Sequence, residues 1–168
     1  MKLVGLVGNS GSGKTTLITR LLPLLRQQGL RVSTIKHAHH GFDLDQPGKD
    51  SFRHREAGAE EVMLVTDDRW ALLHEQRGDD DGGTSLHALA RRMTQVDILL
   101  AEGFRLEQIP KIEVYRPSLG KPAFFPEDPS IVAVASDAAI AAGAPKLLPL
   151  NHPDVVAAFI LSLAAVRS

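Results

Sequence analysis

Short apolar runs of strand length alternate along this chain with longer segments in which apolar residues recur every three to four positions. The short runs predict β-strands, and the longer amphipathic segments predict helices that pack on a sheet. The predicted strands are Lys2–Val7, Arg31–Lys36, Val62–Thr66, Arg69–His74, Ile98–Ala101, Lys111–Tyr115, Ile131–Ala135 and Lys146–Leu150. This alternation favours an α/β fold of three layers, in which a mostly parallel sheet carries helices on both faces.

The helical segments begin and end at recognisable residues. The first runs from Thr15 to Gln28, with Pro23 inside it as an expected kink. Its apolar side chains share the face that should pack on the sheet: Leu17, Ile18, Leu21, Leu22 and Leu25. Further helices are predicted where Ser51 caps a short segment ending near Gly58, over Ser85–Met93, and from Pro153 onward.

One pair of strands departs from the parallel pattern. Val62–Thr66 and Arg69–His74 flank Asp67-Asp68, an arrangement typical of a β-hairpin, so we expect an antiparallel addition to the sheet. The polar run Gly78–Gly83 indicates a solvated loop. The length of 168 residues is expected to give a single domain over residues 1–168.

A glycine-rich loop joins the first strand to the first helix and fits the pattern G-x-x-x-x-G-K-[ST]. It consists of Gly8, Asn9, Ser10, Gly11, Ser12, Gly13, Lys14 and Thr15, and Thr16 follows in the helix. Backbone N–H groups in such a loop form a concave site for phosphate oxygens, and the helix N-terminus adds positive charge. Lys14 should reach the β- and γ-phosphates, and Thr15 should give a hydroxyl oxygen to Mg²⁺. The chain therefore has the sequence of a P-loop NTPase.

A phosphate loop works with an acid that holds Mg²⁺, and the Ile98–Ala101 strand has one at each end. Asp97 and Glu102 should lie roughly 16 Å apart at ~3.3 Å per residue. Ligands of such sheets bind at the carboxyl ends of the strands, so Glu102 is the predicted metal-side acid. For Asp97 we expect a turn or cap role.

The polar segment from His37 to Asp50 also leaves the carboxyl edge of a strand, and it is too long for a plain connector. Asp45 and Asp43 are therefore candidates for a second metal-side acid. His37, His39 and His40 would suit zinc, but no cysteine supports such a site, and loop polarity or substrate contact is the favoured interpretation.

Composition narrows the function further. The net charge is −1 and no basic stripe is present, which argues against a nucleic-acid motor. The longest apolar stretch, Val155–Val166, is too short to span a bilayer, and no secretory signal is evident. We therefore expect a soluble cytoplasmic protein without a membrane partner.

Together these features resemble one family, the molybdopterin-guanine dinucleotide biosynthesis adapter proteins (MobB). Beyond the phosphate loop, the resemblance rests on Lys36-His37 through Ser51, Ala57-Gly58-Ala59, Arg69–Leu72, Glu102–Arg105, Lys111-Ile112 and Val132–Asp137. The Lys36–Ser51 and Glu102-Gly103-Phe104 blocks are the most specific of these.

The resemblance implies a homodimeric protein that binds GTP with Mg²⁺, hydrolyses it slowly, and assists the molybdopterin guanylyltransferase that attaches GMP to molybdopterin. It places nucleotide and metal roles on Gly11, Gly13, Lys14, Thr15, Thr16, Asp45 and Glu102, with Lys14, Glu102 and Asp45 as the residues closest to any hydrolysis. The strand Arg69–His74 and nearby edge strands are candidates for the dimer interface.

Guanine preference has less support in the residues themselves. The N-K-x-D motif is absent, and two strand ends could replace it: Asp137, ranked first, and Asn151, which is equally suited to cap the last helix. No clear water-orienting glutamine or arginine finger is evident, so intrinsic turnover should be slow.

The alternative is a P-loop small-molecule kinase that transfers the γ-phosphate of ATP or GTP. For that function, a set of basic residues would form a surface for an anionic substrate: Arg53, Arg55, Arg105, Lys111 and Arg116.

Overall fold

The computed structural model describes residues 1–38, 44–75, 85–140 and 143–163. Its strands are β1 (Lys2–Val7), β2 (Val32–Lys36), β3 (Glu61–Val65), β4 (Trp70–His74), β5 (Ile98–Glu102), β6 (Lys111–Tyr115), β7 (Ile131–Ser136) and β8 (Lys146–Pro149). Its helices are α1 (Lys14–Gln27), α2 (Asp50–Glu56), α3 (Leu86–Arg92) and α4 (Pro153–Ser162), with a 3₁₀ turn at Pro117–Leu119. The predicted strands are all present: β1 and β6 have the predicted bounds, and the others differ by one residue at one or both ends.

Six of the strands form one sheet in the order β2-β5-β1-β6-β7-β8, and every described pairing between them is parallel. This confirms the predicted α/β class. The register brings strand ends together: Glu102 is opposite Leu6 of β1 on one side and opposite Lys36 of β2 on the other. The carboxyl ends of the three strands therefore meet at one edge.

Two helices cover one face of this sheet. The predicted apolar face of α1 is buried, with Leu21 and Leu25 fully inaccessible, and α4 contributes Val156 and Ile160 to the same core. Fully burying each such side chain contributes about 1.5–3 kcal/mol. Pro23 lies inside α1, which continues to Gln27, and the kink there stays a prediction.

The carboxyl ends of β6 and β7 lead into segments that approach the other face. Val7, Ile131 and Val134 form a second buried cluster, against which Phe124 and Phe125 pack. The segment after β6 therefore packs on the sheet beside β1, the strand that leads into the phosphate loop.

Contacts divide the chain into two compact units, Met1–His37 with Ala90–Ser168, and Ala38–Leu89. The six-stranded sheet belongs to the first. The organisation as a single domain over 1–168 stays a prediction.

The second unit contains α2 and the antiparallel pair β3–β4, which forms a two-stranded sheet of its own where an addition to the main sheet was expected. Helix α2 begins at Asp50, after Lys49, and no side chain caps it. The predicted cap, Ser51, is wrong: Ser51 lies inside the helix, where its hydroxyl donates to Asp45.

None of the helices within the described ranges combines the length and the apolar character needed to cross a bilayer.

Candidate functional site

The glycine-rich loop follows β1 and curls around the side chain of Lys14. The Lys14 ammonium donates to the carbonyls of Gly8 at 2.9 Å and Asn9 at 3.1 Å. Gly8 has a φ of 144° and its Cα faces the carbonyl oxygen of Val114, where an added Cβ would approach to 2.3 Å. Only glycine fits at that position, so the close contact with β6 fixes where the loop begins.

Helix α1 starts directly from this loop. Gly13, with a φ of 100°, is its N-cap, and no described side chain makes a capping hydrogen bond there. The hydroxyl of Ser12 is buried and has no hydrogen-bond partner within the described part of the chain. Unpaired N–H groups at a helix start and a buried hydroxyl left without a partner fit a loop that an anion completes.

The structure brings Thr15 and Glu102 together at the start of α1. The Thr15 hydroxyl lies 3.0 Å from Oε1 and 3.3 Å from Oε2 of Glu102. Glu102 is buried and ends β5, the neighbour of β1. Asp97 lies at the other end of the strand, where its carboxylate accepts from the backbone N–H of Arg31 at 2.7 Å. This bond joins the segments that precede β5 and β2, and the turn or cap role expected of Asp97 stays a prediction.

Lys36 is the site residue that sequence reasoning missed. It ends β2, and its ammonium lies 3.4 Å from Oε1 of Glu102. Its position at the end of a predicted strand was the one sequence feature that could have indicated a role in the site. The strand order that makes Lys36 the neighbour of Glu102 cannot be found from one sequence.

These side chains surround a cavity of about 390 Å³, within the usual range for a ligand site. Its lining residues are Ser10, Gly11, Gly13, Lys14, Thr15, Thr16, Lys36 and Glu102. Two lysines and one carboxylate therefore face one opening. Burial lowers the pKa of Lys14, the nearby Glu102 opposes that shift, and the charge of Lys36 adds to it.

The donor set fits magnesium. Mg²⁺ prefers oxygen ligands and is typically held by one or two carboxylates together with substrate phosphates. Thr15 and Glu102 supply one hydroxyl and one carboxylate. No group of three or more His, Cys, Asp or Glu side chains able to hold a metal occurs among the residues that the structure describes. His39, His40 and Asp43 lie outside those residues. The ring of His37 packs edge-on against the ring of Phe104, with 5.6 Å between the two ring centroids.

Asp45 belongs to the second compact unit, where its side chain is almost fully covered. Its carboxylate accepts hydrogen bonds from the Ser51 hydroxyl at 2.7 Å, the Gln46 N–H at 3.0 Å and Arg55 Nε at 3.3 Å. These bonds, led by that from Ser51, lower the pKa of Asp45 despite the opposing effect of burial. Its role as a metal-side acid stays a prediction.

Asp137 follows β7 and pairs with the guanidinium of Arg116, which follows β6. Arg116 also donates from Nε to the carbonyl of Ser12 at 2.9 Å. A contact of Asp137 with guanine stays a prediction. Asn151 is not the helix cap, because His152 holds that position in α4 and no side chain caps the helix.

The predicted surface of basic residues is wrong for Lys111. Its side chain is fully buried and pairs with Asp128 at 2.7 Å, so it cannot bind a substrate from solvent. Arg105 lies over the ring of Phe124 at 4.0 Å, and Arg55 pairs with Asp45 and Glu75.

Comparisons with known proteins identify the family of this chain. A family model described as "Molybdopterin guanine dinucleotide synthesis protein B" (MobB) matches residues 3–137. The molybdopterin-guanine dinucleotide biosynthesis adapter protein of Haemophilus influenzae is 42% identical over 161 residues, 94% of this chain and 86% of the relative. The Escherichia coli adapter protein is 39% identical over 155 residues, 90% of this chain and 87% of the relative.

Solved structures share the fold. A crystal structure of molybdopterin-guanine biosynthesis protein B superposes with a TM-score of 0.74 at 30% identity, covering 95% of this chain and 97% of the other. The structure of Bacillus subtilis MobB superposes with a TM-score of 0.69 at 27% identity, covering 96% of this chain and 97% of the other. With its phosphate loop, its parallel sheet and these relatives in agreement, the chain belongs to the MobB family.

Proposed function

We propose that this protein is the adapter of molybdopterin guanine dinucleotide biosynthesis and that it works by binding GTP with Mg²⁺. The adapter role rests on the family and on relatives named for it. The proposed binding of a nucleotide rests on one structural observation. Lys14, Thr15 and Glu102 face the same cavity, although Glu102 is distant from the loop in sequence.

Different residues of the cavity are proposed to bind the phosphates and the metal. Backbone N–H groups of the loop and the ammonium of Lys14 bind the phosphates, and the oxygens of Thr15 and Glu102 hold the metal. Bound Mg²⁺ supplies positive charge that neutralises the phosphates. Lys14 now donates to loop carbonyls, so a phosphate has to replace those bonds. Asp45 keeps its proposed role as a second metal-side acid.

Hydrolysis is expected to be slow. Among the described residues, those that line the cavity include neither a glutamine nor an arginine, the side chains that orient water or stabilise the transition state in fast GTPases. Without them, turnover can be as slow as ~10⁻⁴ s⁻¹. We infer that binding of GTP, more than its consumption, serves the adapter.

Competition between nucleotides tests this function. A fluorescent GTP analogue bound in the presence of Mg²⁺ should be displaced by GTP at a much lower concentration than by ATP. Lys14→Ala should abolish binding, whereas Lys146→Ala, which removes an exposed lysine of β8, should not change it. Equal displacement by both nucleotides would contradict guanine preference, and phosphate transfer to a small acceptor would favour a kinase instead.

The partner follows from the pathway. We propose that the molybdopterin guanylyltransferase binds this protein in the cytoplasm, where GTP is available. Co-purification of the two proteins with GTP, with GDP and without nucleotide would test this. Failure to associate under all three conditions would contradict the adapter function while leaving nucleotide binding intact.

The proposed homodimer is supported by one face of the β3–β4 sheet. The register places Met63 opposite Leu72 and Val65 opposite Trp70, so all four side chains share that face. They are 41–69% exposed, an apolar surface typical of protein–protein contact. Trp70→Lys should shift the protein from dimer to monomer in sedimentation velocity, whereas Val155→Lys on α4 should not. A wild-type monomer at all concentrations would contradict the dimer.

A further inference from the structure

Arg116 connects the phosphate loop to the ends of two strands. It follows β6, donates from Nε to the Ser12 carbonyl at 2.9 Å, and pairs through the terminal nitrogen Nη1 with Asp137 after β7. The Arg116 side chain is one-third exposed and that of Asp137 less than one-quarter. The pair is therefore partly shielded from water, and its attraction is stronger than that of a fully exposed pair.

The guanidinium also lies against Gly13. A Cβ built on Gly13 would lie 3.6 Å from a terminal nitrogen of Arg116. Gly13 and Arg116 line a small recess together with Thr16, Leu17 and Asn151. Gly13 also lines the larger cavity of Lys14 and Glu102. Gly13 thus borders both the recess next to Arg116 and the cavity proposed for the phosphates.

The geometry of one peptide unit gives this contact a consequence. The Ser12 carbonyl and the Gly13 N–H belong to the same peptide, and in a planar trans peptide they point in opposite directions. Ser12 and Gly13 flank the unit, and Gly13, at a φ of 100°, has no Cβ to restrict its rotation on that side. A bond that holds the carbonyl towards Arg116 therefore turns the N–H away from Arg116.

We propose that Arg116 is a positioning residue of the phosphate loop and that Asp137 is its anchor. Arg116 fixes the Ser12–Gly13 peptide so that the Gly13 N–H is presented to a phosphate, and Asp137 acts on the nucleotide through Arg116. This inference rests on the proposed GTP binding, and it gives Asp137 a role other than contact with guanine.

The two roles of Asp137 differ in their dependence on the base. If Asp137 accepts from the guanine 2-amino group, Asp137→Asn should favour xanthosine triphosphate, which carries a carbonyl where guanine carries that amino group. If Asp137 anchors Arg116, Asp137→Asn should weaken the binding of every triphosphate by the same factor. This includes inorganic triphosphate, which has no base.

The test compares GTP, xanthosine triphosphate and inorganic triphosphate, each with Mg²⁺, by calorimetry on the full chain. We expect Arg116→Gln and Asp137→Asn each to weaken all three about tenfold, the loss of one charge-assisted hydrogen bond. The double variant should be no weaker than either single variant, because both act through one contact. Arg116→Lys should recover part of the loss, and thermal melting checks that every variant is folded.

Three results would overturn the inference. One is a gain of xanthosine triphosphate binding in Asp137→Asn with inorganic triphosphate unchanged, which would assign Asp137 to the base. Another is unchanged binding in Arg116→Gln, and the third is additive losses in the double variant. If the wild-type protein bound none of the three ligands, the proposed GTP binding itself would fail, a result distinct from the others.

Discussion

The hydroxyl of Thr15 donates a hydrogen bond of 3.0 Å to the carboxylate of Glu102, a residue 87 positions later in the chain. Two features of the fold produce this contact. Helix α1 begins at the end of the glycine-rich loop that follows β1, and β5 lies beside β1 with Glu102 opposite Leu6. P-loop proteins offer a hydroxyl and a carboxylate of this kind to Mg²⁺, and the magnesium site that we propose lies at this contact.

Glu102→Gln should therefore uncouple nucleotide binding from magnesium. The amide keeps the shape and a hydrogen bond to Thr15 but loses the negative charge that attracts the cation. We expect Mg²⁺ to strengthen GTP binding about tenfold less than in the wild type, while binding in EDTA stays the same or improves. Calorimetric titrations with and without Mg²⁺ measure this, with Asp97→Asn at the opposite end of β5 as the control. An unchanged magnesium effect would contradict the metal role of Glu102.

Lys36 is expected to distinguish GTP from GDP. Its ammonium is largely exposed, lies 3.4 Å from Glu102, and lines the cavity with Lys14. A second cation there favours the nucleotide with more phosphate charge. Lys36→Ala should therefore weaken the binding of GTP about tenfold and the binding of GDP less. Lys36→Arg keeps the charge and is the matched control. The difference should shrink in 0.5 M salt, since screening acts strongly on exposed charges; equal losses for GTP and GDP would contradict a contact with the terminal phosphate.

The parallel sheet and the place of the loop could be predicted from sequence because they depend on local patterns. Alternating apolar runs gave the strands, and the carboxyl-edge rule chose Glu102 over Asp97, which the structure separates to opposite ends of β5. Neither inference needed the strand order. Position along one strand was enough to separate the two acids.

The contacts of Lys36, Arg116 and Ser51 could not be predicted, because each depends on which segments become neighbours in space. The pairing of β2 with β5 places Lys36 beside Glu102, and the pairing of β6 with β7 places Arg116 beside Asp137. Ser51 is suited to cap a helix, but Asp45 competes for its hydroxyl, and the helix starts one residue earlier. Local preference is overridden where a charged partner is available.

Lys111 is expected to matter for stability. Its fully buried ammonium contacts Asp128 at 2.7 Å and also donates to the backbone carbonyl of Arg105. Lys111→Met would leave Asp128 without its cation and should lower the free energy of unfolding by about 3 kcal/mol. Urea denaturation measures the loss, with Lys121→Met on the exposed surface as the control. A loss below about 0.5 kcal/mol would show that the pair contributes little.

The lowered pKa of Asp45 lets us predict how the stability of the folded protein depends on pH. Hydrogen bonds from Ser51, Gln46 and Arg55 hold its pKa below the ordinary value of 3.8, against the effect of burial. An acid whose pKa is lowered by folding stabilises the folded state above its unfolded pKa, and this contribution is lost as the pH falls through the folded value. Asp45→Asn should therefore lower stability at pH 7, and the difference from the wild type should narrow as the pH falls below 3.8. Urea denaturation at pH 7, 5 and 3 measures it; a difference that stays constant with pH would show that the charge of Asp45 contributes nothing.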